Sequence, residues 1–492
     1  MEFIEKTIGE IVGELAKKYP DNLAVKSWGG DFERTWKELD EETDRIAKGL
    51  MALGVQKGDK ISVWATNIPE WILALFATTK IGAILVTVNT NYKIFELEYL
   101  LRQSDTKVLV MMKGFKDSDY ISIINTLLPD LKNSTDGSVK ADNLPMLERV
   151  IFAGKDTPAG MLPFNDIVKY ADKVSDEEYE ARKATLHCHE VINIQYTSGT
   201  TGFPKGVMLT HYNILNNGKT IGDGMKFTEN DKLCICVPLF HCFGLVLGVM
   251  ACITHATSFV LVDYYSPVPV LSAVSEEKCT ALHGVPTMFI GLLECRDFAK
   301  FDLSSLRTGI MAGAPCPVEV MKQVNERMNM KEIVIVFGQT EASPGCTMTT
   351  TDDSLEHRVS TVGKAFPGVE CKIVDPETGA TLPPGKPGEF CVRGYNIMKG
   401  YYKMLEATAS AIDKDGWLHT GDICIKDEEG YFKVVGRLKD MIIRGGENIY
   451  PKEIEEFLYT CPKISDVQVI GVPSKQYGEE VMAVIKLKEG ET

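Results

Sequence analysis

The segment from Thr197 to Lys205 is rich in hydroxyl groups and glycine, and it is the clearest candidate for chemistry. It contains Thr197, Ser198, Gly199, Thr200, Thr201, Gly202 and Lys205. Backbone N–H groups beside glycine can approach an anion closely, hydroxyl groups can donate hydrogen bonds to it, and a lysine adds positive charge. A Walker loop ends in Gly-Lys-Ser/Thr, whereas this segment has the order Pro204-Lys205-Gly206. The residues therefore suit a triphosphate without forming a Walker loop. A flexible surface loop is the alternative for such a cluster taken alone.

The elements around this segment must hold it in place. The apolar run at residues 191–195 predicts a strand before it, and a helix is expected to begin near Thr210. Earlier in the chain, helical patterns alternate with short apolar runs that start at Lys60, Ala83, Lys107 and Arg149. Strand and helix in repetition indicate parallel sheets covered by helices, so the fold class is α/β.

The pattern changes near Gly388. Alternating runs around a turn at residues 427–430 predict antiparallel hairpins. After Arg437 the sequence predicts a strand, a Gly-Gly turn and a helix that begins at a proline. A chain of 492 residues is too long for one ordinary core, so two or more domains are expected.

Composition excludes several classes of protein. Hydrophobic residues make up 44% and charged residues 25%, as in soluble globular proteins. The net charge of -15 opposes binding to nucleic acid, which is not expected as a partner. The 13 cysteines include no CxxC pair, so neither a disulfide framework nor a zinc site is expected, and reduced thiols indicate a cytoplasmic protein. The first residues lack a basic and then apolar leader, so no secretory signal is expected.

The apolar stretch at residues 233–262 has two interpretations. It is long enough for a membrane span, but it contains Pro238, His241 and His255. We therefore favour a buried strand, loop, helix and strand, and no transmembrane segment.

Five strings together carry a family resemblance. YTSGTTGFPKGVMLTHYNI from Tyr196 resembles the signature of the adenylate-forming superfamily, which contains acyl- and aryl-CoA ligases, beetle luciferases and the adenylation domains of peptide synthetases. MAGAPCP, VFGQTEAS, GWLHTGD and GRLKDMIIRGGENIYP follow in the order that the family has. The resemblance therefore extends over residues 196–451, and the alternating pattern before it is compatible with the same fold.

The resemblance implies an architecture and its domains. Residues 1–437 would form a large N-terminal AMP-binding domain with two helix-covered β-sheets and a distorted β-barrel. Residues 438–492 would form a small mobile α+β domain, with Lys439 as the hinge. Relatives carry a Pro-x-Thr-x-x-Gly-Lys motif near the end of that domain, and no lysine after the hinge has this context. We therefore expect the small domain to be incomplete in this sequence.

The resemblance also implies a reaction. An organic acid and ATP would give acyl-AMP and pyrophosphate, and coenzyme A would then take the acyl group, with Mg²⁺ assisting. The string from Val88 to Asp105 is most similar to fatty-acyl-CoA ligases, so a medium- to long-chain fatty acid is the first expectation. An aryl acid is the alternative. From another class, a chain without its lysine would bind ATP or acyl-adenylate with little turnover. The sequence leaves the particular acid and the oligomeric state open.

The nucleotide-site residues are implied by their place in the motifs. Glu341 would hold Mg²⁺ and Thr340 would contact the α-phosphate, while Asp422 would accept hydrogen bonds from the ribose. The remaining nucleotide contacts are implied for Ala312, Gly313, Ala314, Pro315, Phe337, Gly338, Gln339 and Arg437, besides the segment from Thr197 to Lys205. Outside these motifs, a solvated helix-cap glutamate, a routine Gly-Asp turn and a surface arginine after a hairpin are the alternative explanations of Glu341, Asp422 and Arg437.

The acid and coenzyme A sites are implied in the same way. His241 in PLFHCFG would border the acyl pocket and meet the carboxylate, although a lone histidine in an apolar run is often a core residue. Looser pocket candidates, implied by family position, are His283, Met288, Met311 and Gln339. Gly445 and Gly446 would face the pantetheine tunnel, and a plain tight turn is their alternative explanation.

Overall fold

The computed structural model describes residues 2–197, 203–314, 316–444, 447–459, 461–474, 477–488 and 490. By its contacts the chain divides into two compact units. The first contains Met1–Asp223, Phe227–Ala273 and Met398–Thr408, and the second contains Gly224–Lys226, Val274–Ile397 and Ala409–Thr492. Both units combine helices with sheets, which confirms the α/β class. The domain boundary at Arg437 and the distorted barrel stay predictions.

Elements are numbered along the chain. The strands of the first unit are β1 (Leu23–Ser27), β2 (Glu33–Thr35), β3 (Lys60–Trp64), β4 (Ile84–Thr87), β5 (Thr106–Met111), β6 (Gly114–Phe115), β7 (Ser118–Asp119), β8 (Arg149–Phe152), β9 (Leu162–Pro163), β10 (Val191–Thr197), β11 (Lys205–Thr210), β12 (Lys232–Ile235), β13 (Ser258–Leu261) and β21 (Gly400–Tyr401). The α-helices that begin in it are α1 (Ile8–Lys18), α2 (Trp36–Ala52), α3 (Pro69–Lys80), α4 (Ile94–Gln103), α5 (Tyr120–Leu127), α6 (Asp176–Lys183), α7 (His211–Met225), α8 (Ala251–Ile253), α9 (Pro267–Glu277) and α13 (Leu405–Ala411). Two 3₁₀ helices (Leu131–Asn133, Phe164–Lys173) and a π-helix (Phe243–Met250) complete it.

Two sets of strands organise the first unit. One sheet has the order β21-β11-β10-β4-β3-β5-β8-β9, and its strands from β10 to β9 are parallel. In the other set, β1 is parallel to β13 and antiparallel to β2, and β13 is parallel to β12. The alternating pattern of the sequence thus predicted the sheets correctly. The predicted apolar face of α1 is buried through Ile8, Ile11, Val12 and Leu15.

The structure corrects one expectation in the first unit. We expected a loop to lead from the strand at residues 191–195 directly into a helix. A further strand, β11, instead precedes α7 and pairs antiparallel with β10 and β21. Val207 and Leu209 alternate into the core with period two, and a strand can bury both on one face.

The second unit is built from shorter strands. They are β14 (Ala281–Leu282), β15 (Thr308–Met311), β16 (Glu332–Gly338), β17 (Gly345–Met348), β18 (Lys364–Ala365), β19 (Val369–Val374), β20 (Gly388–Gly394), β22 (Leu418–Lys426), β23 (Phe432–Arg437), β24 (Ile442–Arg444), β25 (Glu447–Ile449), β26 (Ile464–Ser474) and β27 (Gly478–Leu487). Its α-helices are α10 (Pro286–Leu293), α11 (Val318–Arg327), α12 (Leu355–Ser360) and α14 (Pro451–Tyr459), with 3₁₀ helices at Phe298–Lys300 and Thr340–Ala342.

The strands of this unit form three groups. β14, β15 and β16 are parallel, and β17 and β18 continue them antiparallel. The predicted hairpins form an antiparallel sheet in the order β19-β20-β22-β23. The strands after Arg437 have the order β25-β24-β27-β26, and Ile442, Ile464, Val467 and Val469 form a small core there with residues of α14.

The apolar stretch near residue 240 folds as β12, a loop, the buried π-helix with α8, and β13, as predicted. No described helix has both the length and the hydropathy that a bilayer crossing requires.

Candidate functional site

Thr197 and Lys205 lie opposite each other at the loop end of the β10–β11 hairpin. The intervening candidates Ser198, Gly199, Thr200, Thr201 and Gly202 lie outside the described residues. After them, the Phe203 ring stacks on Tyr99 at a centroid distance of 4.7 Å, and the Tyr99 hydroxyl donates to the Pro204 carbonyl at 3.2 Å. Both ends of the segment are therefore anchored, one by strand pairing and the other by helix α4.

Lys205 has an aromatic neighbour from the strand beside it. Its Nζ lies 4.9 Å from the ring centroid of Tyr401, which is buried in β21. Gln103 ties the same region together, because its Nε2 donates to the Tyr402 carbonyl at 2.7 Å and its Oε1 accepts from the Tyr196 hydroxyl. Sequence reasoning missed these supporting residues. The polar Gln103 at the end of an amphipathic helix was the only available signal.

A buried asparagine holds the backbone that leads to His241. Asn67 Nδ2 donates to the carbonyls of Val237 and Val262 at 3.0 and 3.1 Å, and its Oδ1 accepts from the Leu239 N–H at 2.9 Å. This clamp fixes the loop between β12 and the π-helix. Gly244 follows closely, and a Cβ there would overlap the Pro238 carbonyl oxygen, so the loop needs glycine at this position.

The His241 ring is held in one tautomer. Its Nδ1 accepts from the Phe243 N–H at 3.1 Å, so a neutral ring carries its proton on Nε2. The residue is exposed to solvent, yet the protein packed around the ring partly desolvates it, and this desolvation lowers the pKa of His241. The side chain is therefore neutral at pH 7 and can donate one hydrogen bond from Nε2.

In the second unit, two candidate loops leave the same sheet edge. β15 and β16 are parallel and pair Met311 with Ile335, so the residues after both strands lie at their shared carboxyl edge. Ala312, Gly313 and Ala314 follow β15, while Phe337 and Gly338 are the last two residues of β16 and Gln339 follows it directly. Pro315 lies outside the described residues. Gly313 has a φ of +82°, which favours glycine, and both Gly313 and Ala314 are exposed.

Thr340 and Glu341 lie in a short 3₁₀ turn that the backbone holds tightly. The Gln339 N–H donates to the Pro344 carbonyl at 3.0 Å, and a Cβ at Gly338 would overlap that same oxygen. Thr340 is buried, whereas Glu341 is partly exposed.

Asn396 supports this turn and was missed from the sequence. The Ser343 hydroxyl donates to the Asn396 carbonyl at 2.6 Å, and the fully buried Asn396 Nδ2 donates to the Gly345 carbonyl at 2.9 Å. Asn396 therefore links the turn to the chain just after β20.

Asp422 and Arg437 form an ion pair across β22 and β23. The two residues are register partners, and the Arg437 Nε donates to the Asp422 Oδ1 at 3.0 Å. Burial raises the pKa of Asp422 and the Arg437 charge opposes that shift, while the nearby charges of Asp440 and Glu341 raise the pKa further. The influence of Glu341 means that the fold brings these two predicted site residues into one electrostatic neighbourhood.

A bulge presents Asp422. Cys391 pairs with His419 and Glu389 with Ile423, so three residues of β22 face a single residue of β20. The Thr420 hydroxyl accepts from the Asp422 N–H at 3.1 Å, and Glu389 Oε1 accepts from the Gly421 N–H at 3.1 Å. Glu389 and Thr420 were not predicted, because only strand pairing brings them beside Asp422.

The remaining candidates are the predicted hinge lysine, the two glycines after it and the looser pocket residues. Lys439 is exposed in a turn closed by Asp440 and Met441 N–H groups that donate to the Arg437 carbonyl. Gly445 and Gly446 lie outside the described residues. His283 and Met311 are buried in the second unit, where His283 Nδ1 accepts from the Ile310 N–H, and Met288 is partly exposed on α10.

Comparison with known proteins gives the same family from two parts of the chain. The sequence profile of the AMP-binding enzyme family matches residues 13–402, and that of the AMP-binding enzyme C-terminal domain matches residues 453–492. A Bacillus subtilis (strain 168) protein, YngI, provisionally named an acyl-CoA synthetase, is 52% identical over 100% of this chain and 89% of its own length. The mitochondrial medium-chain acyl-CoA ligase ACSF2 of Bos taurus is 40% identical over 99% of this chain and 80% of its own length.

The chain is also similar to solved structures. The anthranilate CoA ligase AuaEII in complex with anthranoyl-AMP has a TM-score of 0.85 at 27% identity, covering 99% of this chain and 88% of the other. ATP-bound MatB from Rhodopseudomonas palustris has a TM-score of 0.82 at 30% identity, covering 98% of this chain and 90% of the other.

Proposed function

The chain belongs to the AMP-binding enzyme family as an AMP-forming acid–thiol ligase, and we propose that its acid is a medium-chain fatty acid. The name of the ACSF2 relatives supports this choice, since those proteins are 38–40% identical over nearly the whole chain. The cytoplasmic location expected from the sequence fits the thirteen cysteines, which are thiols rather than disulfides.

The reaction has two steps. A carboxylate oxygen of the acid attacks the α-phosphorus of ATP, and the bond to the bridging oxygen breaks to release pyrophosphate. The sulfur of coenzyme A then attacks the acyl carbon of acyl-AMP, its proton is lost, and AMP leaves. Both partners of the first step are anions, so the protein must hold them in line and neutralise charge.

The observation that carries the proposed nucleotide site is the arrangement around Asp422. A buried carboxylate can accept hydrogen bonds from both ribose hydroxyl groups, and Arg437 keeps it from being an uncompensated buried charge. At the carboxyl edge of β15 and β16, the small residues Gly313 and Ala314 and the ring of Phe337 would enclose adenine. Thr197, Lys205 and the residues between them would bind the phosphates.

The residues of the 3₁₀ turn fit a magnesium ion. Glu341 offers a partly exposed carboxylate beside the Thr340 hydroxyl, which is the oxygen donor set that Mg²⁺ prefers. When bound there, Mg²⁺ would neutralise phosphate charge during the first step. Thr340 would hydrogen-bond the α-phosphate from the same turn.

His241 would position the acid. Its neutral ring with a proton on Nε2 can donate to the substrate carboxylate without forming a tight ion pair that would weaken the nucleophile. The buried π-helix Phe243–Met250 follows directly and consists only of apolar residues and glycine, which suits an alkyl chain better than a charged acid.

The proposal is tested by pyrophosphate release with a panel of acids. We expect octanoate and decanoate to give the highest kcat/KM, with acetate, hexadecanoate and benzoate each at least tenfold lower. A preference for benzoate or anthranilate would instead identify an aryl-acid ligase. Thioester formation with coenzyme A is measured in the same samples, and acyl-AMP that accumulates without thioester would contradict the second step.

The metal role needs its own control. Glu341→Gln keeps the side-chain shape and removes the charge, and Glu326→Gln makes the same change at an exposed position on α11. We expect only Glu341→Gln to lose adenylation, by roughly 10²–10³-fold, the usual effect of removing one preorganised electrostatic group. Equal Mg²⁺ dependence in both variants would reject the assignment.

A further inference from the structure

Three potential metal ligands meet on the antiparallel sheet of the second unit. Glu389 and Cys391 are two residues apart on β20, so they lie on one face, and His419 is the register partner of Cys391 on β22. One ligand atom from each of the three lies within 4.8 Å of the others. His419 lies 28 residues beyond Cys391, and the cluster contains a single cysteine, which is why the cysteine spacing gave no indication of a metal site.

The distances between these atoms match a tetrahedral metal site. The Cys391 Sγ lies 3.5 Å from His419 Nδ1, and His419 Nδ1 lies 2.9 Å from Glu389 Oε2. Zinc bonds of roughly 2.3 Å to sulfur and 2.0–2.1 Å to nitrogen or oxygen, at tetrahedral angles, separate S and N by about 3.6 Å and N and O by about 3.4 Å. The Sγ to Nδ1 distance already has this value, and the carboxylate needs to move by only a few tenths of an ångström.

The second ring nitrogen of His419 has the kind of partner that metal-binding histidines usually have. His419 Nε2 lies 3.5 Å from Asp413 Oδ2, so Nδ1 faces the thiol and the glutamate while Nε2 faces a carboxylate. A histidine that binds a metal through one nitrogen commonly donates its other N–H to a carboxylate. This fourth residue distinguishes the cluster from a simple His–Glu ion pair, which would need neither the buried thiol nor Asp413.

We propose that Glu389, Cys391 and His419 bind a zinc ion, with Asp413 orienting the histidine. Zinc is favoured because the donors are one sulfur, one nitrogen and one oxygen, whereas Mg²⁺ and Ca²⁺ prefer oxygen alone. On binding, the Cys391 thiol loses its proton to solvent, and the thiolate, the carboxylate and the neutral imidazole balance the charge of Zn²⁺. The side chain of His419 is 36% exposed, so the ion has a route from solvent, and a water can complete the coordination.

The position of the site predicts that bound zinc stabilises the sheet beside Asp422. The cluster lies at the base of the bulge that carries Asp422, and Glu389 already accepts from the Gly421 N–H through its other oxygen. Zinc would therefore fasten β20 to β22 where the proposed ribose ligand projects. We expect bound zinc to raise the temperature of thermal unfolding.

The test is a metal titration of the full chain after treatment with a chelator. Co²⁺ serves as the probe, because a cobalt–thiolate bond absorbs in the near ultraviolet. We expect one equivalent to bind with this absorption. It should be lost in Cys391→Ser and His419→Gln and kept in Cys371→Ser, a control on the neighbouring strand β19. Asp413→Asn should weaken binding by roughly 10–100-fold, as expected for a residue that orients a ligand.

Two results would overturn the proposal. One is a wild-type chain that binds no stoichiometric Co²⁺ or Zn²⁺, and the other is unchanged binding in Cys391→Ser and His419→Gln. Thermal unfolding of each variant in chelator shows whether it is folded. If one of the two ligand variants does not fold, the other decides, since they change different strands.

Discussion

Asp422 is a buried carboxylate, and burial makes its charge unfavourable for folding even though Arg437 compensates part of it. The pKa of Asp422 is higher in the folded chain than in the unfolded chain. The stability that comes from its protonated form is therefore fully present below the unfolded-state pKa of about 3.9 and is lost as the pH rises through the folded-state pKa. We therefore predict that Asp422→Asn is at least as stable as the wild type at pH 7. The difference in unfolding temperature should shrink as the pH approaches about 4.

Thermal unfolding between pH 4 and pH 8 measures this effect. Asp440→Asn is the matched control, because it removes one carboxylate charge from an exposed position in the adjacent turn. A large loss of stability at pH 7 in Asp422→Asn alone would mean that the ion pair with Arg437 outweighs the burial of the charge.

His241 is a second residue whose charge the fold disfavours. The pKa of His241 is lower in the folded chain than in the unfolded chain. The stability that comes from its neutral form is therefore fully present above the unfolded-state pKa of about 6.5 and declines as the pH falls toward the folded-state pKa. We predict that His241→Ala raises KM for the fatty acid by roughly tenfold or more, from the loss of one hydrogen bond to a charged group. The Kd for ATP should not change. Steady-state kinetics and calorimetry measure the two constants, with the exposed His187→Ala as control. An equal change in both constants would place His241 outside the acid site.

At the scale of elements, the 3₁₀ turn Thr340–Ala342 depends on a residue far along the chain. Asn396 is fully buried and donates to the Gly345 carbonyl, so Asn396→Ala removes a buried hydrogen bond. We predict a loss of about 1–3 kcal/mol in the free energy of unfolding, together with slower adenylation because Thr340 and Glu341 lose their support.

Asn325→Ala separates these two effects. Asn325 is also buried and donates through its Nδ2 to the Met330 and Lys331 carbonyls, but it lies at the end of α11. A similar loss of stability with normal adenylation in Asn325→Ala, measured by urea unfolding and pyrophosphate release, would assign the kinetic effect to the turn. The same fall in adenylation in both variants would show that general destabilisation is its cause.

For the whole molecule, nucleotide binding and folding are linked. A ligand that binds only the folded chain stabilises it by about 2.7 kcal/mol at a hundred times its Kd. If Asp422→Asn weakens ATP binding by roughly 10–100-fold, as the loss of a charged hydrogen-bond acceptor suggests, the same ATP concentration stabilises it by only about 0.4–1.4 kcal/mol. Urea unfolding of both chains with and without ATP gives these values. An equal stabilisation of both chains by ATP would remove Asp422 from the nucleotide site.

Local patterns determined much of this protein. The helical face of Ile8, Ile11, Val12 and Leu15, the buried strands that begin near Lys60 and Arg149, and the hairpins after Gly388 were all predictable. Side-chain period and turn residues depend only on neighbours in the chain, so they can be read without the fold. The five motifs determined the family for a related reason, because each is a contiguous string whose backbone and side chains act together.

Tertiary structure decided what lies beside those motifs. Strand β11 was missed because its six residues obtain their pairing partners from β10 and from β21, almost two hundred positions away. Asn67, Asn396 and Glu389 carry no motif, and only long-range strand pairing and chain crossings bring them to His241, Glu341 and Asp422. The pKa shifts of His241 and Asp422 also belong to the fold, since burial depends on which distant segments exclude water from a side chain.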